Sequence, residues 1–408
     1  MRILFVSAWF PYPPDNGSRI RAYNLIKVLS KHHEVNLVAL LQNDSRPEYA
    51  DKLSEVCRVV SLHESRWFKP WTLRSLAGFL SLKPRSVVDT YDPDIARAVR
   101  DAIDRVSPDV VIASQIGSMV YVPARCNVPV VFEELEIGSM HRATTARGIF
   151  RRARAQLTFA KHCHFVRGLL NRANVFTCVS AQELDLAKTL LSPSISGTVV
   201  PNGVDADHYN VSDRRPESET LVYNGAPTYH ANLDAVRYFA SEILPILRSR
   251  RPGIRLLVTG RTEGVDLAGV AECSGIEFTG YVDDIRTVLN RSAVCVVPLR
   301  QGGGSRLKIL EAMAAGVPVV TTSVGAEGLD IRHGCHAIIA DSPSDFARAV
   351  DMLLADASLA DQLSRSAREF VKRTYDWSSI GRQLIEVVES VAVSGSRCRL
   401  EGGVHEIP

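Results

Sequence analysis

The residue types best suited to chemistry lie together between positions 302 and 311. Gly302, Gly303 and Gly304 are followed directly by Ser305. Glycines lack a Cβ and let backbone amides approach a ligand closely, and Ser305 is well placed as the N-cap of a following helix. The positive end of that helix would point at whatever fills the loop. The segment therefore predicts a ligand site at a helix N-terminus.

Two cations begin the predicted helix. Arg306 and Lys308 have no acid beside them in its first turn, and cations there oppose the helix dipole at a cost of about 0.3–1 kcal/mol each. A phosphate or diphosphate would reverse that effect, because amides, a guanidinium and an ammonium would converge on it. The alternative is a solvated first turn in which Lys308 pairs with Glu311. The charges favour an anion site.

Glu311 is the only charged residue between positions 309 and 320. An ionised carboxylate among apolar residues needs hydrogen-bond donors or water. The two vicinal hydroxyls of a ribose would supply two donors, as they do for the acidic residue of dinucleotide sites. A salt bridge to Lys308 or to another cation is the alternative. The glycine spacing fits neither the Walker loop nor Gly-x-Gly-x-x-Gly.

The elements that must position these residues alternate along the whole chain. Short β-branched runs separated by helical segments are typical of doubly wound parallel sheets, an α/β fold that binds ligands beyond the carboxyl ends of its strands. The pattern restarts after residue 205, and residues 210–219 have the composition of a linker. We therefore expect Rossmann-like domains over 1–205 and 206–376, a last helix over 377–392 that packs on the first domain, and a flexible tail over 393–408. The strands are predicted at 3–7, 34–40, 110–114, 128–132, 175–179, 220–223, 255–259, 277–279, 294–298, 317–321 and 337–339.

Composition limits the class of protein. The chain has 408 residues, enough for two domains of ordinary size, and a formal net charge of +3. This small charge gives no case for a nucleic-acid partner, because such proteins usually have a strongly basic face. The eight cysteines include no Cys-x-x-Cys pair, so no metal site is expected. No stretch approaches the roughly 20 apolar residues of a membrane span, and we expect a cytoplasmic protein.

The run from 302 to 320 resembles the signature of the retaining GT-B glycosyltransferases of family four. Its sequence is Gly-Gly-Gly-Ser-Arg-Leu-Lys-Ile-Leu-Glu-Ala-Met-Ala-Ala-Gly-Val-Pro-Val-Val. Segments 200–205, 278–282 and 325–328 are similar to that family's domain junction, base-side loop and later loop. The resemblance covers most of the chain and is closest to a bacterial branch associated with exopolysaccharide assembly. It implies two Rossmann-like domains that face each other across a cleft.

The resemblance also implies a role for each matching residue. Glu311 would bind the ribose of a nucleotide, and Arg306 and Lys308 would bind the diphosphate and stabilise its charge as it leaves. The amides of Gly303 and Gly304 would face the donor sugar. Further donor-side positions are Gly17, Gly302, Ser305, Tyr281 and Glu327. Such enzymes are usually metal-independent and need no cofactor beyond the nucleotide-diphosphate sugar, because the cations replace a magnesium ion.

The chain departs from the family pattern near the sugar and the phosphates. Gly303 stands where the family often has a glutamate, and Gly17-Ser18 replaces a glycine pair. Residues 225–232 lack the usual Arg and Lys, which leaves the phosphates to the cations at 306 and 308. The family's sugar-contacting histidine has no clear counterpart. Glu134 and Glu136 follow a predicted strand instead, and they either face the acceptor or cap a helix.

Basic and aromatic residues are concentrated in two stretches. Residues 140–172 include eight Arg or Lys residues and no acid, with phenylalanines and leucines interleaved, and residues 66–71 read Arg-Trp-Phe-Lys-Pro-Trp. A basic amphipathic helix with interfacial aromatics would suit the anionic inner leaflet of a membrane. The alternative is an ordinary helix with one solvated charged side and one core side.

Together with these features, the resemblance implies a retaining hexosyltransferase that moves a sugar from a nucleotide-diphosphate donor to a glycan or lipid-linked acceptor. Exopolysaccharide or cell-surface glycan synthesis is the expected setting. Two alternatives stay open, namely a nucleotide-sugar epimerase of the same fold and a catalytically silent GT-B scaffold protein. Gly303 favours a silent protein, whereas Arg306, Lys308 and Glu311 favour an enzyme.

Overall fold

The computed structural model describes residues 1–144, 148–209, 214–302 and 306–401. The chain divides into two compact units. The first consists of Met1–Pro201 together with the chain from Ile380 onwards, and the second consists of Asn202–Ser379. Each unit is built on one parallel β-sheet.

Seven strands are described in the first unit. They are β1 (Arg2–Ser7), β2 (Glu34–Leu41), β3 (Arg58–Glu64), β4 (Val110–Ser114), β5 (Val130–Glu133), β6 (Val175–Cys178) and β7 (Ser196–Val199). Their spatial order is β3-β2-β1-β4-β5-β6-β7, and all pairs are parallel. The helices up to β7 are α1 (Gly17–Leu29), α2 (Ala50–Ser54), α3 (Leu73–Ala77), α4 (Arg85–Thr90), α5 (Pro93–Val106), α6 (Ile116–Met119), α7 (Gly138–Ala143), α8 (Ile149–Leu170) and α9 (Ala181–Leu191).

Local sequence explains where the main elements of this unit begin and end. The central strand β1 is a continuous apolar run and is buried from Ile3 onwards, as expected for a strand covered on both faces. The Asn16 side chain caps α1 by accepting a hydrogen bond from the amide of Arg19 at 3.2 Å. Helix α5 begins at Asp92-Pro93, a capping residue followed by proline in the first turn.

The second unit contains six described strands. They are β8 (Glu217–Asn224), β9 (Arg255–Thr259), β10 (Ile276–Gly280), β11 (Ser292–Val297), β12 (Val319–Thr321) and β13 (Ile338–Ile339), in the spatial order β10-β9-β8-β11-β12-β13. The helices are α10 (His230–Tyr238), α11 (Leu244–Arg250), α12 (Ile285–Arg291), α13 (Leu307–Ala314), α14 (Ser323–Ala326), α15 (Pro343–Ala355) and α16 (Ala357–Thr374). A π-helical turn, Phe239–Ile243, joins α10 to α11.

The last helix, α17 (Trp377–Glu401), leaves the second unit and belongs to the first from Ile380 onwards. A Cβ built on Gly381 would lie 2.1 Å from the side chain of Val28 in α1, so glycine permits this close approach. The helix continues to Glu401, beyond the end predicted at residue 392, so the tail predicted from 393 is wrong as far as residue 401.

The structure confirms the predicted fold class of two parallel, Rossmann-like sheets. It corrects two details of the helices. Helix α13 begins at Leu307 with Arg306 at its N-cap position and no side-chain cap, and Ser305, the predicted N-cap, lies outside the described residues. Helix α8 is not amphipathic along its length, because its buried residues begin at His162 and its first half is largely exposed. Among the described helices, none is long and apolar enough to cross a membrane.

Candidate functional site

Strand order locates a candidate site in the second unit. Strands β8 and β11 are neighbours, although the chain places β9 and β10 between them, so the order of the sheet reverses at this pair. Ligands of open α/β sheets bind outside the carboxyl ends of strands at such a switch point. Asn224 ends β8, and α13, which carries Lys308 and Glu311, follows β11.

Lys308 is a buried cation with neutral partners. Its ammonium donates to Asn232 Oδ1 at 2.6 Å and to the hydroxyl of Tyr223 at 3.1 Å, and it lies 4.7 Å from the centre of the Tyr223 ring. No ion pair to Lys308 occurs within the described part of the chain, so the alternative pairing with Glu311 is not formed there. Burial, and then the charge of Arg306, lower the pKa of Lys308 to about 8. An anion placed here would restore the charged form.

Glu311 is held by a separate set of donors. The Asn224 amide donates to Glu311 Oε2 at 2.9 Å, and the Tyr209 hydroxyl also hydrogen-bonds the carboxylate. Burial raises the pKa of Glu311, and these two hydrogen bonds oppose the rise. The carboxylate has four lone-pair positions, so two donors leave acceptor capacity for a ligand hydroxyl.

Arg306 is held at the amino end of α13. Its guanidinium donates to the Val324 carbonyl at 3.1 Å and to the Gly302 carbonyl at 3.4 Å, and it lies 3.6 Å from a carboxylate oxygen of Glu327. The side chain is nearly buried. The structure therefore brings together Arg306, Gly302, the helix α14 and Glu327, which directly follows α14.

Two glycines allow these close approaches. A Cβ on Gly225 would lie 2.9 Å from Lys308 Nζ, so a larger residue would displace the ammonium. Gly302 has φ 134°, a conformation that L side chains rarely adopt. Gly225 follows β8 and Gly302 follows β11, the two neighbouring strands at which the sheet order reverses.

The other residues predicted on the donor side do not all lie beside Lys308 and Glu311. Tyr281, just after β10, is 61% exposed, and the Arg261 guanidinium lies 5.2 Å from the centre of its ring. Gly17 is the first residue of α1, in the first unit. Gly303, Gly304 and Ser305 lie outside the described residues.

A polar cluster lies at the corresponding edge of the first unit, where strand order reverses between β1 and β4. Gln115, directly after β4, donates to Glu134 Oε2 at 2.7 Å and to Ser18 Oγ at 3.2 Å. Its side-chain oxygen accepts from the indole of Trp9 at 2.9 Å. Both Gln115 (φ 69°) and Glu134 (φ 58°) adopt backbone conformations that are unusual for residues other than glycine.

The acids after β5 have different roles. Glu133 is fully buried and bonded to Arg21, whose guanidinium also donates to the carbonyls of Val200 and Pro201 at 2.8 Å each. Burial raises the pKa of Glu134 to about 7, against the opposing charge of Arg21. Glu136 is half-buried, and its charge adds to the rise.

Several residues of these clusters had no signal in the sequence. They are Tyr209, Tyr223, Asn224, Asn232 and Gln115. Tyr209 lies in the segment between β7 and β8, whereas the other four lie near the end of a strand or the start of a helix. Within the described ranges no group of three or more potential metal ligands occurs.

Two family models match the chain. A model described as "Glycosyl transferase 4-like domain" matches residues 16–203, and one described as "Glycosyl transferases group 1" matches residues 218–356. The two matches follow one another and correspond to the two units of the fold.

Curated relatives align with part of the chain. The glycogen synthase of Mycobacterium tuberculosis (strain H37Rv) is 29% identical over 243 residues, which are 56% of this chain and 57% of that protein. The phosphatidyl-myo-inositol mannosyltransferase of Mycobacterium leprae is 34% identical over 218 residues, which are 49% of this chain and 55% of that protein. The chain thus spans little more than half the length of the curated relatives it matches.

Solved structures share the fold over nearly the whole chain. Sucrose-phosphate synthase from Thermosynechococcus elongatus has a TM-score of 0.70 at 16% identity, with 96% of this chain and 99% of that chain covered. The Anabaena protein HepE in complex with UDP and glucose has a TM-score of 0.66 at 15% identity, with 95% and 99% covered. Both proteins share the GT-B architecture of two Rossmann-like domains.

Proposed function

Because the chain belongs to the group 1 glycosyltransferases of the GT-B fold, we propose that it transfers a sugar from a nucleotide-diphosphate donor to a glycan or lipid-linked acceptor. The observation that carries this proposal is the buried ammonium of Lys308. Its hydrogen-bond partners are the neutral oxygens of Tyr223 and Asn232, and its neighbour is a second cation, Arg306. A diphosphate supplies the negative charge that this pair of cations favours.

The residues around α13 take complementary roles in the proposal. Lys308 and Arg306 bind the diphosphate and stabilise the charge that develops as it leaves, which is the part of the reaction that fixed charges accelerate most. Glu311, oriented by Asn224 and Tyr209, accepts hydrogen bonds from the ribose hydroxyls. Tyr281 and Arg261 supply a stacked pair beside which the base would lie. Arg306 and Lys308 neutralise the diphosphate charge that a metal ion would otherwise neutralise, so the transfer is metal-independent.

The chemistry we propose is transfer with retention of configuration. The bond between the anomeric carbon and the diphosphate oxygen breaks, and the acceptor oxygen forms a bond to that carbon on the same face. The acceptor proton passes to the departing diphosphate. This route needs no side-chain nucleophile, and exopolysaccharide or cell-surface glycan assembly at the cytoplasmic face of a membrane is the setting that we propose for it.

Thermal unfolding with nucleotides tests the donor site first. The panel is UDP, GDP, ADP and their sugars, added to the wild type, Lys308→Ala and Glu311→Ala. A ligand at a hundred times its dissociation constant adds about 2.7 kcal/mol to the free energy of unfolding. We expect one diphosphate to raise the melting temperature of the wild type and to have a much weaker effect on both variants. Lys188→Ala, at an exposed position of α9, is the matched control and keeps the wild-type response.

Product analysis then separates transfer from the two alternatives. With the donor named by the first experiment, a transferase forms product only when an acceptor is present. An epimerase releases free sugar or an isomer without any acceptor, and a silent scaffold protein binds the donor and forms neither. If no nucleotide of the panel stabilises the wild type at millimolar concentration, the donor site proposed here is wrong.

A further inference from the structure

One surface of the first unit exposes many large apolar side chains. It comprises residues 66–85 and residues 149–161 in the first half of α8, and we call it the basic aromatic face. Trp71, Leu80 and Phe150 are 84%, 95% and 92% exposed, and Leu73 and Ile149 are exposed to a similar degree. An exposed apolar concentration of this kind marks an interaction site rather than ordinary surface.

The two segments form one continuous surface. The Lys161 ammonium donates to the backbone carbonyl of Phe79 at 2.9 Å, which fixes α8 against the 66–85 segment. Leu157 lies one helical turn before Lys161 and is 62% exposed, so it faces the same side of the helix. The exposed side chains of both segments therefore border each other.

Polar contacts hold the 66–85 segment in place while its apolar side chains stay outside. The Arg85 guanidinium donates to the carbonyls of Pro70 and Ser75, at 2.6 and 3.0 Å, and lies 3.8 Å from the centre of the Phe79 ring. Asp89 accepts from the Lys69 amide at 2.8 Å and is also bonded to the Thr72 hydroxyl. The backbone of residues 66–85 is therefore fixed by hydrogen bonds, and its apolar side chains are exposed in that fixed conformation.

The charge of this face has a single sign. Residues 66–85 include five cations and no acid, and residues 149–161 include four cations and no acid. Within the part of the chain that the structure describes, Lys83, Arg151 and Arg152 form no ion pair. Exposed Trp, Phe and Leu side chains among unpaired cations are complementary to a surface that is negatively charged outside and apolar just beneath.

We propose that the basic aromatic face docks on a lipid bilayer that contains anionic lipids. The apolar side chains enter the boundary between headgroups and acyl chains, while the cations bind the lipid phosphates. None of the residues of this surface is among those that bind the nucleotide in the proposed function, and the surface would bring the enzyme to a membrane-borne acceptor.

Vesicle binding of the full chain, without any nucleotide sugar, tests this proposal. The protein is mixed with vesicles of phosphatidylcholine alone or of equal parts phosphatidylcholine and phosphatidylglycerol, and bound protein is measured by sedimentation. We expect binding to the anionic vesicles that weakens with added salt. Arg151→Gln/Arg152→Gln lowers the affinity about 30-fold, since each cation near the surface contributes roughly fivefold. The exposed pair Arg365→Gln/Arg373→Gln in α16 is the matched control and binds like the wild type.

Tryptophan fluorescence locates the contact. Trp71 and Trp67, both in the basic aromatic face, are 84% and 53% exposed, whereas Trp377 is buried and Trp9 is half-buried. Anionic vesicles should shift the emission to the blue, and Trp71→Ser should remove much of the shift and weaken binding at any salt concentration. The proposal is overturned if the wild type does not bind anionic vesicles. It is also overturned if the wild type is a dimer in solution that Trp71→Ser converts to a monomer. Either result leaves the nucleotide panel unaffected, so the two proposals fail separately.

Discussion

The Asn224 amide donates to Glu311 at 2.9 Å and to the carbonyl of Lys308 at 3.0 Å. One side chain at the end of β8 thus orients both the carboxylate and the backbone of α13. The two partners are separated from Asn224 by 87 and 84 positions in the chain. The sheet order, in which β8 lies beside β11, creates this connection.

Asn224→Ala should weaken nucleoside diphosphate binding and destabilise the second unit. The buried Glu311 carboxylate would lose one of its two named donors, and an unsatisfied buried acceptor costs about 1–3 kcal/mol. Urea unfolding and nucleotide titration measure the two effects. Asn24→Ala removes a side chain that bonds only the backbone of its own helix, and it should change neither by a comparable amount. Equal losses in both variants would contradict an orienting role for Asn224.

Nucleotide affinity should fall as the pH rises through the pKa of Lys308. Burial lowers that pKa to about 8, so the free protein loses the charged ammonium between pH 7 and 9. A diphosphate binds the charged form, and its affinity should therefore drop by about tenfold over this range. Isothermal titration at pH 7, 8 and 9 measures the drop.

Lys308→Arg is the matched variant for the pH experiment. A guanidinium stays charged throughout this range, so its nucleotide affinity, although lower, should hardly depend on pH. An equally steep decline in Lys308→Arg would assign the titration to another group, and a wild type without any decline would contradict the lowered pKa.

Gly225→Ala tests the close approach of backbone and ammonium. The new methyl group would lie 2.9 Å from Lys308 Nζ, the mobile end of a long side chain, so the lysine should move rather than the strand. We expect a small change in the free energy of unfolding but a clear loss of nucleotide affinity. The control is Gly168→Ala in α8, where no atom lies within 4 Å of the new methyl group. There, alanine should stabilise the helix by up to about 1 kcal/mol and leave nucleotide binding intact.

Sequence reasoning located the parts of this molecule that form continuous patterns. The central strands β1, β4 and β11 were predicted because they are uninterrupted apolar runs, which is what burial on both faces of a sheet requires. The edge strands β3 and β7 were missed because they are only half-buried and mix polar with apolar residues.

In the candidate site, too, sequence analysis found the residues that belong to a local pattern and missed those that do not. Lys308 and Glu311 were predicted because each is distinct in the sequence: Lys308 is a cation in the first turn after three glycines, and Glu311 is the only charged residue between positions 309 and 320. Asn224 and Asn232 were not, because nothing near them in the sequence distinguishes them from ordinary strand-end and helix residues. Their importance comes from tertiary contacts to α13.

Glu134→Gln should stabilise the protein at neutral and alkaline pH. Burial raises the pKa of Glu134 to about 7 in the folded protein, while the unfolded value is close to 4.5. Between these values the unfolded chain ionises this group and the folded protein does not, so the stability it contributes is complete below pH 4.5 and is lost as the pH rises to 7. The glutamine keeps a side chain of the same shape without that loss.

Urea unfolding at pH 5 and pH 8 measures the effect of Glu134→Gln. The difference in stability between variant and wild type should be larger at pH 8 than at pH 5. Asp104→Asn, at an exposed position of α5, is the control and should give the same small difference at both values. A Glu134→Gln difference that is independent of pH would mean that Glu134 titrates normally.

The backbone at Gln115 gives a test based on a pair of variants. With φ 69° and ψ 165°, this residue occupies a region that is accessible almost only to glycine and costs other residues about 1–3 kcal/mol. Gln115→Ala removes the contacts to Trp9, Ser18 and Glu134 but keeps the strain, whereas Gln115→Gly removes both. We therefore expect Gln115→Gly to be more stable than Gln115→Ala in urea, although glycine usually destabilises a protein relative to alanine. If Gln115→Ala were the more stable variant, the backbone at position 115 would not be strained. The contacts to Trp9, Ser18 and Glu134 would then not be required to offset strain.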